Sequence, residues 1–398
     1  MKELLKQRFY SSSLLDTSAL EQINFDIERD ILLNALVNVG AANLDSEISW
    51  TQISFPGKNK LVFSSLTHSS SIRFEITSKY SGKGVVKISG KQLYDYVKQL
   101  PQALVSVSID LPGSMKIKCG RSTAKMQLIQ DESNNDFTVP EKGTSVLVKG
   151  SFLERWISSF RDFVSVDDNR FYANGSLIWL SKDKELNKPV LYAVASDALR
   201  LAQSKLTSDF KIEEQDDERI LVPKKILEEV KRISSQEPDT QFQVKWHAAS
   251  LSFLLETDKY RMVARCIAGQ YPPYEAALPK KESITLELDL KTAIESVRRM
   301  ILFTDKNKVI KMNFEKSTLK MTSFTPGQKE GEEFVELLTP VESDFEVSYN
   351  GSLLMAILNS LGGSKVTLTW ESASRPVKIT GEGQNGIEVF YLLVPTRY

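Results

Sequence analysis

The sequence predicts an α+β chain of three repeated domains, each with two helices packed on antiparallel β-sheets. The first observation behind this is a recurring strand–helix pattern. FDIERDILLNALVNV from Phe25, VLVKGSFLERWISSF from Val146 and LELDLKTAIESVRRM from Leu286 each open on alternating apolar residues, then pass into apolar positions at helical spacing. The second is that another such unit follows in each third, at Val86–Pro101, Ile220–Ser234 and Val347–Leu361. The third is the interval. Ile27 to Ile88 and Leu288 to Tyr349 both span 61 residues, whereas Val148 to Val222 spans 74 and leaves room for an insertion containing the acidic run Glu213–Glu218.

Taken in order, Met1–Gln22 reads as a polar extension. Lys2, Lys6 and Arg8 are present but a continuous apolar stretch is not, so no signal peptide is expected. The first helix carries its stripe on Ile31, Leu32, Ala35, Leu36 and Val39; its counterpart in the last third carries Ala293, Ile294, Val297, Met300 and Ile301. KLVFSSLTH, SIRFEITS, LIWLSKD, LYAVASD and VIKMNFEK alternate with period two and read as strands, as do VSVSID, FQVKW and VTLTW after the second helices. Each third is thus expected to run βα-βββ-βα-βββ. The expected boundaries are 1–22 for the extension and 23–141, 142–279 and 280–398 for the domains, with Pro140 and Pro279 at the joints.

Composition excludes several function classes. Lys+Arg and Asp+Glu both total 51, so the chain is not a polybasic protein that grips nucleic acid with its whole surface. Only two cysteines, Cys119 and Cys266, and two histidines, His68 and His247, are available. A disulfide scaffold, a zinc site and a histidine-based triad are therefore not expected, and a reducing cytoplasm is. No apolar run reaches the length of a membrane span. GxxxxGK[ST], GxSxG and HExxH are all absent. Asp197 in VASDALRLA reads as a turn or capping residue, and Asn174-Gly175-Ser176 and Asn350-Gly351-Ser352 as turn and cap residues. No enzyme, cofactor or metal centre is expected.

Cations gather on the predicted helices: Lys91 and Lys98, Arg155 and Arg161, Lys224, Lys225, Lys231 and Arg232, and Lys291, Arg298 and Arg299. Glu228 and Glu229 pair some of them locally. If the helices of all domains line one surface, the cations converge there. Such a surface attracts duplex DNA without reading its sequence.

RFYANG (170–175), AVASDALRLA (193–202), GQYPPYEAALP (269–279) and the terminal YLLVPTRY (391–398) resemble, in the same order, the RYYLNG, ATDGHRLA, GRFPDYRRVLP and VMPMRL elements of the bacterial DNA polymerase III β subunit, the β sliding clamp family. The likeness runs over roughly Ile23–Tyr398. It implies clamp-type domains and a head-to-tail homodimer that closes as a ring around double-stranded DNA. It also implies a processivity role: tethering the polymerase III catalytic subunit, the clamp loader and other proteins bearing a clamp-binding motif.

The partner-peptide cleft implied by the resemblance maps onto Ala173, Ser196, Ala198, Leu199, Arg200, Leu201, Pro272, Ala277, Asn350, Leu353, Ser374, Pro376, Leu393, Val394, Pro395, Thr396 and Arg397. Within it, aliphatic walls would take Leu or Phe anchors, and Arg200, Asn350 and Ser196 would fix the peptide backbone. Its DNA contacts carry over best to Phe171, Tyr172, Lys224 and Lys225. Its dimer seam carries over to Ile301 and Leu302, facing Ala124 and Met126 of the partner subunit.

Departures are visible as well. Ala198-Leu199 stands for Gly-His, Leu353 for a Tyr gate, Ala276 for an Arg, Tyr398 for a terminal Leu and Ala124 for a Phe, while the loop AANLDSEIS (41–49) lacks the expected basic residue. These predict a more apolar cleft rim and a weaker apolar seam. The competing reading is a three-domain β-rich scaffold that does not encircle DNA, with its basic residues scattered outward.

Overall fold

The computed structural model describes residues 22–40, 50–111, 113–130, 137–165, 169–183, 185–216, 218–281, 284–325, 329–383 and 386–396. The extension up to residue 21, the loop 41–49, and Arg397 and Tyr398 lie outside them. By contacts the chain groups into two units: the first 137 residues together with Glu256–Val263, and the remainder.

In the first unit, strand Gln22–Glu28 runs straight into α1 (Arg29–Asn38), and Gly84–Ser89 runs into α2 (Gly90–Gln99). The first strand alternates exposed and buried residues along its length, so Ile23, Phe25 and Ile27 all face the core. Leu32, Ala35 and Leu36 of α1 and Leu93 and Val97 of α2 are buried with them. Arg29 joins the helices by donating from Nε to the Val97 carbonyl at 3.1 Å. One antiparallel sheet has the order Tyr80–Ser81, Gln22–Glu28, Leu104–Asp110, Ser114–Cys119, Ser122–Gln127, which leaves Ser122–Gln127 at an edge. In a second sheet Ser70–Thr77, Lys60–Leu66, Trp50–Phe55 and Gly84–Ser89 are neighbours in turn.

The second unit repeats the pattern twice. Thr144–Lys149 leads into α3 (Gly150–Ser158), Ile220–Pro223 into α4 (Lys224–Gln236), Ile284–Asp289 into α5 (Leu290–Ile301) and Phe345–Asn350 into α6 (Gly351–Ser360). The expected strand–helix order appears in all three thirds. The longer middle interval contains a fourth strand of five residues, Phe210–Glu214, at the start of the acidic run, where the first third has only the two-residue Tyr80–Ser81 and the last third has none. Helix starts are marked by side chains that accept from free backbone N–H groups: Asp289 from Thr292, and Asn350 from Ser352 and Leu353.

An eight-stranded sheet binds the last two thirds into this one unit. Its order is Ile220–Pro223, Gly175–Lys182, Pro189–Ser196, Arg200–Leu206, Ile387–Leu393, Val377–Gly381, Lys365–Trp370, Ile284–Asp289. The join is the antiparallel pair Arg200–Leu206 and Ile387–Leu393, in register from Arg200↔Leu393 to Leu206↔Ile387. A four-stranded sheet, Lys329–Glu336, Thr318–Thr325, Val309–Glu315, Phe345–Asn350, ends on the edge strand Lys329–Glu336. Between sheets and helices of the final third lies an aromatic core in which Trp370 packs against Phe314 and Phe345 and donates from Nε1 to Tyr349 Oη at 2.7 Å. Among the described residues no helix is long and apolar enough to cross a membrane.

Candidate functional site

The floor of the candidate site follows from strand alternation in the eight-stranded sheet. Leu201 lies opposite Leu392, and Leu177 opposite Val194. These four and Trp179 form a buried apolar cluster on which Tyr192, Tyr271, Tyr274, Ala277, Leu278 and Phe390 pack. The loop carrying Pro272 and Ala277 therefore rises directly over this floor.

Leu393 is a correction to the expected lining. It has the parity of Tyr391, whose hydroxyl donates to the Ser159 carbonyl at the end of α3, so it is turned to the helix side and wholly buried. Leu392, which the sequence reading does not name, is the residue of this strand that joins the floor cluster. The run FYLLV is apolar on both faces, so its parity could not be read from the sequence.

One lip of the floor is the turn Ser196–Arg200. Asp197 makes it: one carboxylate oxygen accepts from the N–H groups of Leu199 and Arg200, and the other takes Arg200 Nε at 2.8 Å. That is the turn role expected of Asp197. Ala198 sits at φ +72°, a left-handed backbone that glycine adopts without strain. Leu199 is left 56% exposed beside Val394, 39% exposed, whose N–H donates to the Leu199 carbonyl at 3.0 Å. Thr396 N–H donates to Ser348, which ties the tail to the strand before α6.

Two residues expected to hold a peptide backbone are already engaged. The Arg200 guanidinium is taken by Asp197, by the Asp162 carbonyl at 3.0 Å and by the face of Phe163 at 4.6 Å. Ser196 Oγ donates to the Arg200 carbonyl and accepts from Ala198 N–H. Both shape the lip. Asn350 caps α6 and donates to the Asn307 carbonyl, with Leu353 half-buried one turn on. Ala173 is buried in the short helix Phe171–Asn174. Ser374 lies at 3.2 Å from Ser372, and Pro376 and Pro395 are partly buried at the ends of the paired strands Val377–Gly381 and Ile387–Leu393. Arg397 falls outside the described residues.

Beside the aromatic layer is a charged brace absent from the sequence expectation. Asp183, buried, accepts from Tyr192 Oη at 2.6 Å, Lys205 Nζ at 2.9 Å and the N–H groups of Glu185 and Leu186. The Tyr192 hydroxyl above all, then the Leu186 N–H and Lys205, hold its carboxyl well below the usual carboxylate range. Tyr192 stacks on Trp179 at 4.9 Å, and Arg219 covers the Trp179 ring at 4.8 Å.

The helix cations divide into two groups. Lys91, Lys98, Lys225, Lys291 and Arg298 are exposed, Lys98 lying over Tyr94. The others are drawn into their own unit. Arg155 folds back onto the Ser151 carbonyl and the Phe152 ring, and Lys224 donates to the Val164 carbonyl at 3.0 Å. Lys231 lies 3.7 Å from Glu154, Arg232 pairs with Glu229, and Arg299 pairs with Glu333 at 2.6 Å. Phe171 is 52% exposed, with Tyr172 against its edge.

The two sheet edges are chemically opposite. Along Ser122–Gln127, Ala124 and Met126 lie across from buried Ile117 and Met115, so they share the helix-side face; Lys125 lies across from Lys116 on the other face, with Lys118 beside it. Along Lys329–Glu336, buried Val335 marks the helix side together with Glu333. The opposite face carries Glu330, Glu332 and Phe334, the last 61% exposed. Leu302, at the end of α5, is 66% exposed, and Ile301 is partly buried.

Comparison with known proteins places this geometry. The family model of the DNA polymerase III beta subunit central domain matches residues 147–273, and that of its C-terminal domain matches residues 275–397. Together they cover more than half of the chain. A curated beta sliding clamp of Pseudomonas putida is 26% identical over 320 residues, 79% of this chain and 82% of the relative. Among solved structures, the DNA polymerase III subunit beta of Pseudomonas aeruginosa superposes with a TM-score of 0.84 at 21% identity, covering 94% of this chain and 100% of that one. A Bartonella birtlesii sliding clamp bound to griselimycin gives 0.86 at 19% identity, covering 95% and 100%.

Proposed function

The chain belongs to the bacterial DNA polymerase III β-subunit family, the sliding clamps, and we propose from this premise that two copies close head to tail into a ring around double-stranded DNA. Three clamp domains per copy, 23–141, 142–279 and 280–398, supply the ring. The observation that carries the reading is the pair of edges of opposite charge that, among the described residues, no further strand covers. Lys116, Lys118 and Lys125 flank one, Glu330 and Glu332 the other. An edge strand left open invites another strand, and a heterologous pairing that closes gives a ring rather than a filament. Ala124 and Met126 then meet the partner's Leu302 and Ile301 on the helix side.

Encirclement accounts for the mixed state of the helix cations. A ring need not grip the duplex, so the exposed Lys91, Lys98, Lys225, Lys291 and Arg298 supply a weak, sequence-blind contact on which the clamp slides. The resemblance adds Phe171, Tyr172 and Lys224 to that contact. The protein performs no catalysis; its action is to raise the effective concentration of polymerase at the primer end. This is replication work in the cytoplasm, with the polymerase III catalytic subunit, the clamp loader and other motif-bearing proteins as partners.

Those partners dock a short apolar peptide over Leu177, Leu201 and Leu392, between the lip formed by Leu199 and Val394 and the loop carrying Pro272 and Ala277. Negative-stain images of the chain at micromolar concentration should show six-lobed rings with open centres; solid particles of monomer size that persist after cross-linking would overturn the ring. Removing Val394–Tyr398 takes away half of the lip and the Thr396–Ser348 tie. Binding of a peptide with Leu and Phe anchors should then fall below detection while the dimer persists. Unchanged peptide affinity would move the docking site elsewhere.

A further inference from the structure

Two phenylalanines stand out from the outer face of the four-stranded sheet, Phe324 at 47% exposure and Phe334 at 61%. Alternation puts them there. Met321 and Ser323 of one strand and Val335 of the next are buried on the helix side, while Phe324 lies across from Glu330 and Phe334 across from Lys320. One ring is on the edge strand and the other on its neighbour, so the patch borders the seam, among Glu330, Glu332 and Glu336 of the same face. Large apolar groups gathered beside a sheet edge mark a surface that something covers. The first sheet shows where the cover comes from. Gln22 lies across from Asp110, Asp110 from Ser114, and Ser114 from Gln127, which ends the other edge strand. Ile23 and Phe25 are buried, so Gln22 and Asn24 face outward. With the two edges paired antiparallel in the ring, Gln127 meets the end of the partner's strand that begins at Lys329, where Glu330 lies across from Phe324. Gln22 then stands five strand spacings, roughly 24 Å, from the partner subunit's Phe324. An extended chain covers that distance in about 8 residues. Seven and eight positions before Gln22 are Leu15 and Leu14, and farther back are Phe9-Tyr10 with Lys6 and Arg8 beside them.

We infer that residues 1–21 act as an arm that crosses the seam and lays Leu14-Leu15 and Phe9-Tyr10 over the partner subunit's Phe324 and Phe334. Three features select this occupant. The segment has the length to arrive, it starts from the outward row that leads to the patch, and its apolar pairs and cations complement a face of aromatic rings and carboxylates. By the two-fold symmetry of the dimer each copy gives one arm and receives one, so both seams are strapped alike. The arm adds an apolar link outside a seam whose helix side is thinly filled, because Ala124 provides no aromatic cover for Leu302. The inference rests on the ring reading above.

The test is sedimentation across a concentration series with four proteins: the intact chain, the chain lacking residues 1–21, the double variant Phe324→Ser with Phe334→Ser, and the truncation combined with that double variant. Removing the arm should weaken dimerisation by about 10-fold, the scale of one aromatic side chain returned to water at an interface. The double variant, whose replaced rings are exposed and leave the fold intact, should lose about as much. The combined protein should be no weaker than either alone, because arm and patch are one contact. If truncation leaves dimerisation unchanged while Lys125→Glu still weakens it, the arm is overturned and the ring stands. If the two phenylalanine changes weaken the truncated chain as much as the intact one, the patch meets the body of the partner and the arm is again overturned. An intact chain that stays monomeric at micromolar concentration would overturn the ring reading and this inference together.

Discussion

Replacing Lys125 by glutamate should weaken subunit association by about 100-fold, on the order of 3 kcal/mol, because like charges set across an interface cost several kcal/mol. Lys125 lies across from Lys116 on its own sheet, so the edge Ser122–Gln127 presents a basic face to whatever strand joins it. The acidic face of Lys329–Glu336 is its complement. Glu332 pairs with Lys320 of its own chain, but an exposed pair of that kind is worth little and does not remove the charge from the edge. The double change Glu330→Lys and Glu332→Lys should therefore impair association alone yet restore it when mixed with Lys125→Glu subunits. Sedimentation across a concentration series measures both, and the intact dimer should loosen from 50 to 500 mM salt. On the helix side, Met126→Ala should cost a further 1–2 kcal/mol or so, since Ala124 provides no aromatic cover for Leu302. A dimer that dissociates only at sub-nanomolar concentration, ignores salt and is untouched by Met126→Ala would reject the seam as drawn.

Legibility of this molecule from its residues followed the physics of periodicity. The strand–helix units were readable because period-two and period-3.6 patterns succeed each other without a gap, as in Ile284–Asp289 and α5. Asp197 was readable as a turn residue because a short carboxylate reaches the N–H groups two and three residues on. Parity is illegible where a strand is buried on both faces, which leaves Leu392 and Leu393 indistinguishable in the sequence. Long side chains failed differently. Arg299 looked like one more helix cation, yet Glu333, distant in sequence, claims it; Arg200 looked available, yet a ring and two oxygens hold it. Asp183 is not legible because its partners Tyr192 and Lys205 are brought to it only by the folded sheet.

Asp183→Asn should cost about 2–3 kcal/mol at neutral pH, the loss expected when hydrogen bonds to a charged group are weakened and a lysine is left without its counter-charge. The carboxylate collects Tyr192, Lys205 and two backbone N–H groups, and Asn cannot match that acceptor set. The pH dependence follows in sign. The folded carboxyl is held below its ordinary value of ~4, so the unfolded chain binds more protons in that range and stability rises with pH. The Asp183 contribution is complete above about pH 5 and is lost as pH falls through the folded pKa. Urea midpoints should therefore separate the intact chain from Asp183→Asn at pH 7 and converge as pH drops below ~4. A separation that stays constant down to pH 3, or none at pH 7, would show that the brace does not hold the sheet. The consequence reaches the groove: Tyr192 stacks on Trp179, and the loop from Tyr271 to Leu278 packs on that same layer. Asp183→Asn should thus weaken peptide docking in parallel with stability, although Asp183 is not part of the cluster on which the loop packs. Subunit association, which uses strands that do not touch this layer, should remain as in the intact chain. That split, a docking loss without an association loss, distinguishes a local brace from general unfolding.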